Sequence, residues 1–198
     1  MKVQWSKYKL VIFDLDNTLY READYLFAAY ERIGNHLAGG NHARAMEYSH
    51  FLCRSFVEEG RKELFQRLIA KYELLTPIDE LLSILRQTEC SLELYPQMKQ
   101  CIASLLAQQI EVAVLTNGQV VQQKQKVANL RLQELFPEIQ VLYAAEIAAK
   151  PSPLAVEQLV HEKGVTKKQT VLIGDSEVDK QTALNAGIEY IDVCYLIK

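Results

Sequence analysis

Two carboxylates, Asp14 and Asp16, directly follow the apolar run Val11-Ile12-Phe13. A buried strand that ends in acidic residues delivers them to the edge of a sheet, where they can do chemistry. Like charges this close resist ionising together, so the pair predicts a nearby cation or several hydrogen-bond donors. The alternative is a plain strand-to-helix turn, in which Asn17 tolerates a positive φ and an Asp or Thr caps the next helix. The pair alone leaves both interpretations open.

Three more groups of polar residues follow predicted strands later in the chain. They are Thr116-Asn117-Gly118 after the strand at 110–115, Lys150-Pro151-Ser152-Pro153 after the strand at 140–143, and Gly174-Asp175 with Asp179 after the strand at 170–173. The carboxyl ends of parallel strands lie at one edge of a sheet, which is where ligands bind in such folds. Four groups that converge on one edge predict a single polar site, a convergence that unrelated turns would not produce.

The chain between the first and second predicted strands has a helical pattern throughout. Leu26, Tyr30 and Ile33 recur at helical spacing in a helix predicted over 23–37, which the pair Gly39-Gly40 ends. The pattern stays helical from 41 to about 72, and Pro77 begins a further short helix. Residues 20–92 are therefore predicted to form an α-helical domain.

After Pro96, helices and strands alternate up to a last strand predicted at 189–193. Alternation of this kind implies right-handed crossovers and a parallel sheet with helices on both faces. The predicted fold class is α/β, a doubly wound, Rossmann-like parallel sheet. We expect residues 1–19 and 93–198 to form this core, with the helical domain at 20–92 inserted into it.

The composition is typical of a soluble globular protein. Of 198 residues, 49% are hydrophobic and 24% charged, with five prolines and eight glycines, which excludes a disordered or fibrous chain. A net charge of −3 without a block of Lys or Arg argues against a nucleic-acid polymer as partner. The N-terminal residues lack the apolar core of a signal peptide, and no segment has the length of a membrane span, so we expect a cytoplasmic protein without a membrane partner. The four widely spaced cysteines are expected to be reduced thiols.

Taken in order, these motifs resemble those of the haloacid dehalogenase superfamily of phosphohydrolases. The resemblance rests on Asp14-Leu15-Asp16-Asn17-Thr18, then Thr116, then Lys150, then Gly174-Asp175 followed by Asp179, and it spans essentially the whole chain. It implies that the α/β core carries the catalytic site and that the helical domain is a cap inserted after the first motif. It also implies a small phosphorylated molecule as the partner.

The resemblance assigns different roles to the two leading aspartates. Asp14 would be the nucleophile, forming an aspartyl phosphate that divides one hydrolysis into two displacements. Asp16 would act as general acid on the leaving oxygen and then as general base on the attacking water. Family members that break carbon–halogen bonds lack this second aspartate, so its presence favours phosphate chemistry.

The resemblance also implies a phosphate-binding set, which consists of Thr116, Asn117, Gly118 and Lys150. The Thr116 hydroxyl and the backbone amides around Gly118 would donate to phosphate oxygens. Lys150 would neutralise the nucleophile and the phosphate as a point charge. Thr116 and Lys150 thereby complete the predicted catalytic residues.

Mg²⁺ is the implied cofactor, because a phosphoryl group in a site rich in carboxylates requires a hard cation. Its protein ligands would be Asp14, Asp175 and the backbone carbonyl of Asp16. Asp179 would bind the ion through water or orient its neighbours, and Thr18 would fix the first loop by hydrogen bonding.

The predicted function is a Mg²⁺-dependent phosphomonoester phosphatase acting on a small cytosolic metabolite, either a nucleotide or a sugar phosphate. One alternative is a phosphomutase or phosphotransferase of the same family, and another is a phosphoacceptor signalling domain, although receiver domains lack such a helical insertion. Specificity is expected from the cap, where Tyr20, Arg21, Asp24 and Tyr25 follow the nucleophile loop; Tyr25 could instead pack between helices. The sequence makes no prediction of the oligomeric state.

Overall fold

The computed structural model describes residues 3–197. Within them the chain divides into two compact units. The core unit contains the residues up to Arg21 together with those from Ser91 onward, and the helical unit is Glu22–Cys90. The sequence predicts these boundaries at 19/20 and 92/93.

Five parallel strands form the sheet of the core unit as far as the described residues extend. They are β1 (Leu10–Phe13), β2 (Glu111–Thr116), β3 (Gln140–Tyr143), β4 (Thr170–Gly174) and β5 (Glu189–Asp192). Their order across the sheet is β3-β2-β1-β4-β5, so β1 lies at the centre between β2 and β4. The predicted α/β fold with a parallel, doubly wound sheet is confirmed.

The central position of β1 explains its sequence. Leu10 pairs with Glu111 on one side and with Thr170 on the other, and all four residues of the strand are fully buried. A strand that is covered on both faces has no solvent side, so it is apolar without alternation.

The helices of the described chain are α1 (Glu22–Ala38), α2 (His42–Glu59), α3 (Leu64–Tyr72), α4 (Ile78–Arg86), α5 (Pro96–Ala107), α6 (Val120–Asn129), α7 (Leu132–Leu135), α8 (Leu154–Glu162) and α9 (Glu177–Ala186). The first four form the helical unit. The stretch predicted as helical over 41–72 is two helices, since the chain leaves the helix at Gly60, where φ is 77°. The sequence-based prediction does not include the single turn α7. Between residues 3 and 197, no helix is both long and apolar enough to cross a membrane.

Helices cover the sheet of the core unit. Leu10 and Ile12 of β1 belong to one buried cluster with Ala155 of α8 and Ala183 of α9. Successive side chains of a strand point to opposite faces, so Val11, which is equally buried, faces the other side. Helix α5 packs against β2 outside that cluster. Covering of this kind keeps the strands dry and leaves their ends as the place for polar residues.

The topology brings three loops together. The chain runs outward from β1 through β2 to β3, then returns to the other side of β1 as β4. Such a reversal of strand order leaves a crevice beyond the carboxyl ends of the strands, where ligands bind. The loops that begin at Asp14, Asn117 and Asp175 therefore open onto the same edge.

The helical unit is built on the antiparallel neighbours α1 and α2, which pack against each other. Asn41 caps α2, and its side chain accepts a hydrogen bond from the N–H of Arg44 at 3.1 Å. Gly34 of α1 lies where the two helices are closest: a Cβ atom there would meet the carbonyl oxygen of Ala45 at 2.6 Å, and the Ser49 hydroxyl would be closer still. The close approach thus requires a residue without a side chain.

Gly34→Ala should lower the free energy of unfolding by about 1–3 kcal/mol, the usual cost of overpacking a tight interior site. The loss is expected although alanine is intrinsically the better helix former by about 1 kcal/mol. Urea denaturation followed by circular dichroism measures it. Asn35→Ala, at an exposed position of the same helix, is the control and should leave stability unchanged or slightly raised. Equal stability of the two variants would show that α1 and α2 adjust without cost.

Candidate active site

Asp14 is held by the turn that follows it. Its N–H donates to the carbonyl of Ile173 at 2.8 Å, and the residue is 6% exposed. The loop turns at Asn17, whose φ is +57°, and the hydroxyl of Thr18 returns to donate to Oδ2 of Asp14 at 3.2 Å. The sequence leaves a reactive acidic pair and a plain turn as alternative interpretations. The structure contains both, since the turn orients the carboxylate of Asp14.

Lys150 connects two of the predicted carboxylates. Its Nζ atom lies 2.6 Å from Oδ1 of Asp14 and 2.5 Å from Oδ1 of Asp179, and it also donates to the carbonyl of Leu115 at 3.2 Å. The three charged side chains are buried, at most 9% exposed. Hydrogen-bonded ion pairs between buried partners are far less screened than surface pairs, so the charge of Lys150 acts strongly on both carboxylates.

The backbone of Lys150 is fixed by Asn117. The Asn117 amide donates to the carbonyl of Lys150 at 3.1 Å, and its Oδ1 accepts from the Lys150 N–H at 2.8 Å. The sequence predicts Asn117 as a phosphate-binding residue through its backbone, and its side chain has this second use. Gly118, next along, has φ of +121°, a backbone conformation that favours glycine.

Asp179 is positioned by its own helix. Ser176 caps α9 and forms a reciprocal capping box with Asp179, whose Oδ2 accepts from the serine hydroxyl and from the Ser176 N–H. Its other oxygen accepts from Lys150. A Cβ atom on Gly174 would lie 2.5 Å from the Asp179 carboxyl carbon. A glycine is therefore required at position 174, because any side chain there would occupy the space of the Asp179 carboxyl group.

Burial raises the pKa of Asp14 to about 7. The positive charge of Lys150 lowers this pKa, but the negative charges of Asp179 and Asp16 offset part of that effect. Burial alone would lower the pKa of Lys150, but the charges of Asp14 and Asp179 outweigh it and raise that pKa above its ordinary value. The site thus holds one secure cation and a carboxylate that ionises more readily when further positive charge is present.

The acidic residues also fit a divalent cation. One oxygen from each of Asp14, Asp175 and Asp179 lies within 4.8 Å of the others. Three carboxylates beside the ammonium of Lys150 leave an excess of negative charge, and hard oxygen atoms are the ligands that Mg²⁺ takes. Oδ2 of Asp179 accepts two hydrogen bonds from Ser176 in the cap of its own helix, whereas Oδ2 of Asp14 accepts one longer bond, from Thr18 at 3.2 Å, so Asp179 suits an orienting role. Asp14 and Asp175 are then the better candidates for direct ligands.

The side chain of Asp16 has a separate set of partners. Nζ of Lys126 lies 2.8 Å from each of its two oxygens. The Tyr20 hydroxyl donates to Oδ1 at 2.7 Å, and the Gln123 amide donates to Oδ2 at 2.9 Å. The Asp16 side chain is 20% exposed, whereas that of Lys126 is 2% exposed.

Sequence reasoning missed Gln123 and Lys126, although a signal was present. Helix α6 is predicted from an apolar stripe that includes Val120, Val127 and Leu130. Position 123 falls on that stripe, three residues after 120 and four before 127, and position 126 lies next to it. Polar residues on a buried helical stripe require partners, and Asp16 and Thr116 provide them.

The remaining predicted residues are placed as follows. The Thr116 hydroxyl accepts from the Gln123 amide at 2.5 Å and donates to the Asn117 carbonyl at 3.3 Å. Tyr20, predicted as a cap residue that selects the substrate, is fully buried and instead donates to Asp16. Tyr25 is also fully buried, and its hydroxyl donates to the Leu85 carbonyl at 2.6 Å, which corresponds to the packing alternative.

A family described as "Haloacid dehalogenase-like hydrolase" matches residues 11–193. The match therefore includes every motif residue on which the resemblance rests. It is also continuous across the boundary between the two units.

Individual relatives are more distant. Phosphoglycolate phosphatase of Pseudomonas putida is 26% identical over 196 residues, covering 94% of this chain and 70% of that protein. Glyceraldehyde 3-phosphate phosphatase of Methanocaldococcus jannaschii is 23% identical over 180 residues, covering 87% and 78%. Among solved structures, a Thermotoga maritima protein assigned as a β-phosphoglucomutase has a TM-score of 0.70 at 16% identity and covers 96% of each chain. At that identity the likeness concerns the fold.

The raised pKa of Asp14 predicts a pH dependence of stability. The pKa of this carboxyl group is ordinarily 3.8, and burial raises it to about 7 in the native protein. Between these values the native protein binds more protons than the unfolded chain, so stability falls as the pH rises. In EDTA, the Tm of the unmodified protein should fall by a few degrees more than that of Asp14→Asn between about pH 5 and 8. Scanning calorimetry of both proteins measures the difference in slope.

Addition of Mg²⁺ near pH 8 should raise the Tm of the unmodified protein, because an ion that binds only the native state stabilises it. Asp14→Asn should respond much less, since one ligand is lost. Parallel pH curves for the two proteins would contradict the role of Asp14 in this titration.

Proposed function

This chain belongs to the haloacid dehalogenase-like hydrolase family, and on that premise we propose that it is a Mg²⁺-dependent phosphomonoester phosphatase acting on a small cytosolic metabolite. The observation that carries the proposal is the ammonium of Lys150, held 2.6 Å from Asp14 and 2.5 Å from Asp179. A buried carboxylate beside a buried cation is arranged to attack a group that brings negative charge of its own. The phosphatases among the curated relatives favour phosphate as that group.

Asp14 is the proposed nucleophile. Its Oδ1 accepts from Lys150 and its Oδ2 from Thr18, so the carboxylate is held in one orientation before substrate arrives. One of its oxygens attacks phosphorus as the leaving oxygen departs in line, which gives an aspartyl phosphate. Lys150 stays beside the reacting groups and offsets part of their combined negative charge.

Asp16 is the proposed acid and base. It gives a proton to the leaving oxygen and later takes one from the water that hydrolyses the aspartyl phosphate. Its partial exposure, unlike the burial of Asp14, suits a group that must reach both a leaving alcohol and a water molecule.

The proposed phosphate contacts come from the end of β2 and from Lys150. Gly118 and the residue before it offer backbone amides in a loop that the Asn117 side chain ties to Lys150. Mg²⁺, when bound by Asp14 and Asp175, supplies further positive charge to the phosphate oxygens.

The helical unit is proposed as the cap that selects the substrate. Four residues in or just before this unit are predicted to determine specificity. Arg21 and Asp24 are exposed, whereas Tyr20 and Tyr25 are buried and their hydroxyls donate hydrogen bonds within the protein. The names of the relatives add phosphoglycolate and glyceraldehyde 3-phosphate to the nucleotides and sugar phosphates that the sequence predicts. These four classes form the substrate panel.

The purified protein should release phosphate from p-nitrophenyl phosphate and from at least one member of the panel, with loss of activity in EDTA and recovery with Mg²⁺. Asp14→Asn should lower kcat/KM by about 10⁴-fold or more, because the attacking group is gone. Asp79→Asn, which changes an exposed aspartate at the start of α4, is the matched control and should retain full activity. Unchanged activity of Asp14→Asn would show that Asp14 is not the nucleophile.

The same assay separates the alternatives. Transfer of phosphate from a hexose 1-phosphate to another position of the sugar, without phosphate release, would identify a mutase. A stable phosphorylated protein that does not turn over would indicate a phosphoacceptor domain.

A further inference from the structure

We propose that Lys126, together with Gln123, is a positioning residue for Asp16 that the protonation of the leaving oxygen requires. The inference rests on the phosphatase function proposed above and names residues of α6 that lie outside the four motifs. Its basis is how Lys126 and Gln123 are placed around Asp16.

The ionised carboxylate of Asp16 accepts hydrogen bonds on both oxygens, and one of these donors must turn away when the group carries a proton. Lys126 donates to both oxygens at 2.8 Å, Tyr20 adds a bond to Oδ1, and Gln123 adds one to Oδ2. A carboxylate has about four lone-pair positions for hydrogen bonds. With donors on both oxygens from three side chains, the group cannot rotate without breaking several bonds at once.

The burial of Lys126 argues that this contact is selected rather than incidental. Lys126 and Gln123 are each 2% exposed, and an ammonium removed from water is strongly destabilised unless an opposite charge compensates it. Lys124, two residues away on the same helix, is exposed and pairs with Glu146 at 3.2 Å, an arrangement that requires no buried charge. A lysine placed only to solvate α6 would resemble Lys124.

The arrangement holds the carboxyl group of Asp16 in place through the first displacement. In the first displacement the bond from Asp14 to phosphorus forms and the bond from phosphorus to the leaving oxygen breaks. The proton of Asp16 goes to that oxygen, and the electron pair stays on the carboxylate. Lys126 keeps its own protons and, with Gln123, holds the carboxyl group in one position while the proton moves. In the second displacement the oxygen of the attacking water bonds to phosphorus, the bond from Asp14 to phosphorus breaks and leaves the Asp14 carboxylate, and a proton of the water goes to Asp16.

Gln123 links this step to the phosphate-binding strand end. Its amide nitrogen lies 2.9 Å from Oδ2 of Asp16 and 2.5 Å from the Thr116 hydroxyl. One side chain therefore sets the spacing between the group that protonates the leaving oxygen and the end of β2.

The test compares two esters that differ in their need for a proton. p-Nitrophenol leaves as a stable anion, whereas glycerol 2-phosphate must lose an alkoxide that requires protonation. The parameter is kcat/KM, which reports the first displacement. Lys126→Met should lower kcat/KM for glycerol 2-phosphate by about 10²-fold and for p-nitrophenyl phosphate by less than about 3-fold. Asp16→Asn should give the same selective loss, and the double variant should be no worse than Asp16→Asn alone.

Lys124→Met is the matched control and should leave both esters unaffected. A merely structural role for Lys126 predicts equal losses for the two esters, and either that result or no loss would overturn the proposal. If calorimetry shows that Lys126→Met does not fold, Gln123→Met replaces it, because no buried charge is then left unpaired. It should show the same selectivity at about tenfold, and an equal or absent loss would again overturn the inference.

Failure of the phosphatase function would be seen separately. The unmodified protein would then release no phosphate from either ester, and the inference would fall with it. When the unmodified protein is active, the ratio between the two esters concerns Lys126 and Gln123 alone.

Discussion

The site depends on one buried ammonium, that of Lys150, held between Asp14 and Asp179. Without it, the carboxylates at the end of the sheet would repel one another in a region with little water. Removing one partner of a buried ion pair typically costs about 3–5 kcal/mol, because the other charge is left uncompensated. The three side chains come from the loop after β1, the loop before α8 and the first turn of α9. The site therefore exists only where these three segments of the core unit are folded together.

A second buried cation gives the two leading aspartates different partners. Lys150 binds Asp14 and Lys126 binds Asp16, so each negative charge has its own partner from a different part of the chain. The acidic pair that is costly in isolation becomes two ion pairs with unequal surroundings. Asp14 is closed off from solvent and held by Thr18, while Asp16 keeps part of its surface open. Difference in surroundings is how two carboxyl groups of one motif can serve different steps.

Small details of the backbone make these pairs possible. Gly174 leaves room for the Asp179 carboxyl group, and Asn17 adopts the left-handed conformation that returns Thr18 to Asp14. Asn117 ties the Lys150 loop to the end of β2 through two hydrogen bonds. None of these residues carries charge, yet each fixes the distance between residues that do.

The fold class and the four motif positions could be read from the residues, because both depend on local signals. Apolar runs, helical spacing and the glycines at helix ends are short-range patterns, and each motif lies at or after the end of such a run. The partners of Asp16 could not be read in the same way. Lys126 is 110 residues away from Asp16 along the chain, and its place beside the apolar stripe of α6 signals that it needs a partner without showing which one. Likewise, Tyr20 follows the nucleophile loop as a cap residue would, but its hydroxyl turns back to Asp16. Which donor meets which carboxylate follows from where the fold places α6 relative to the loop after β1, and that placement exists only once the sheet has brought distant segments together.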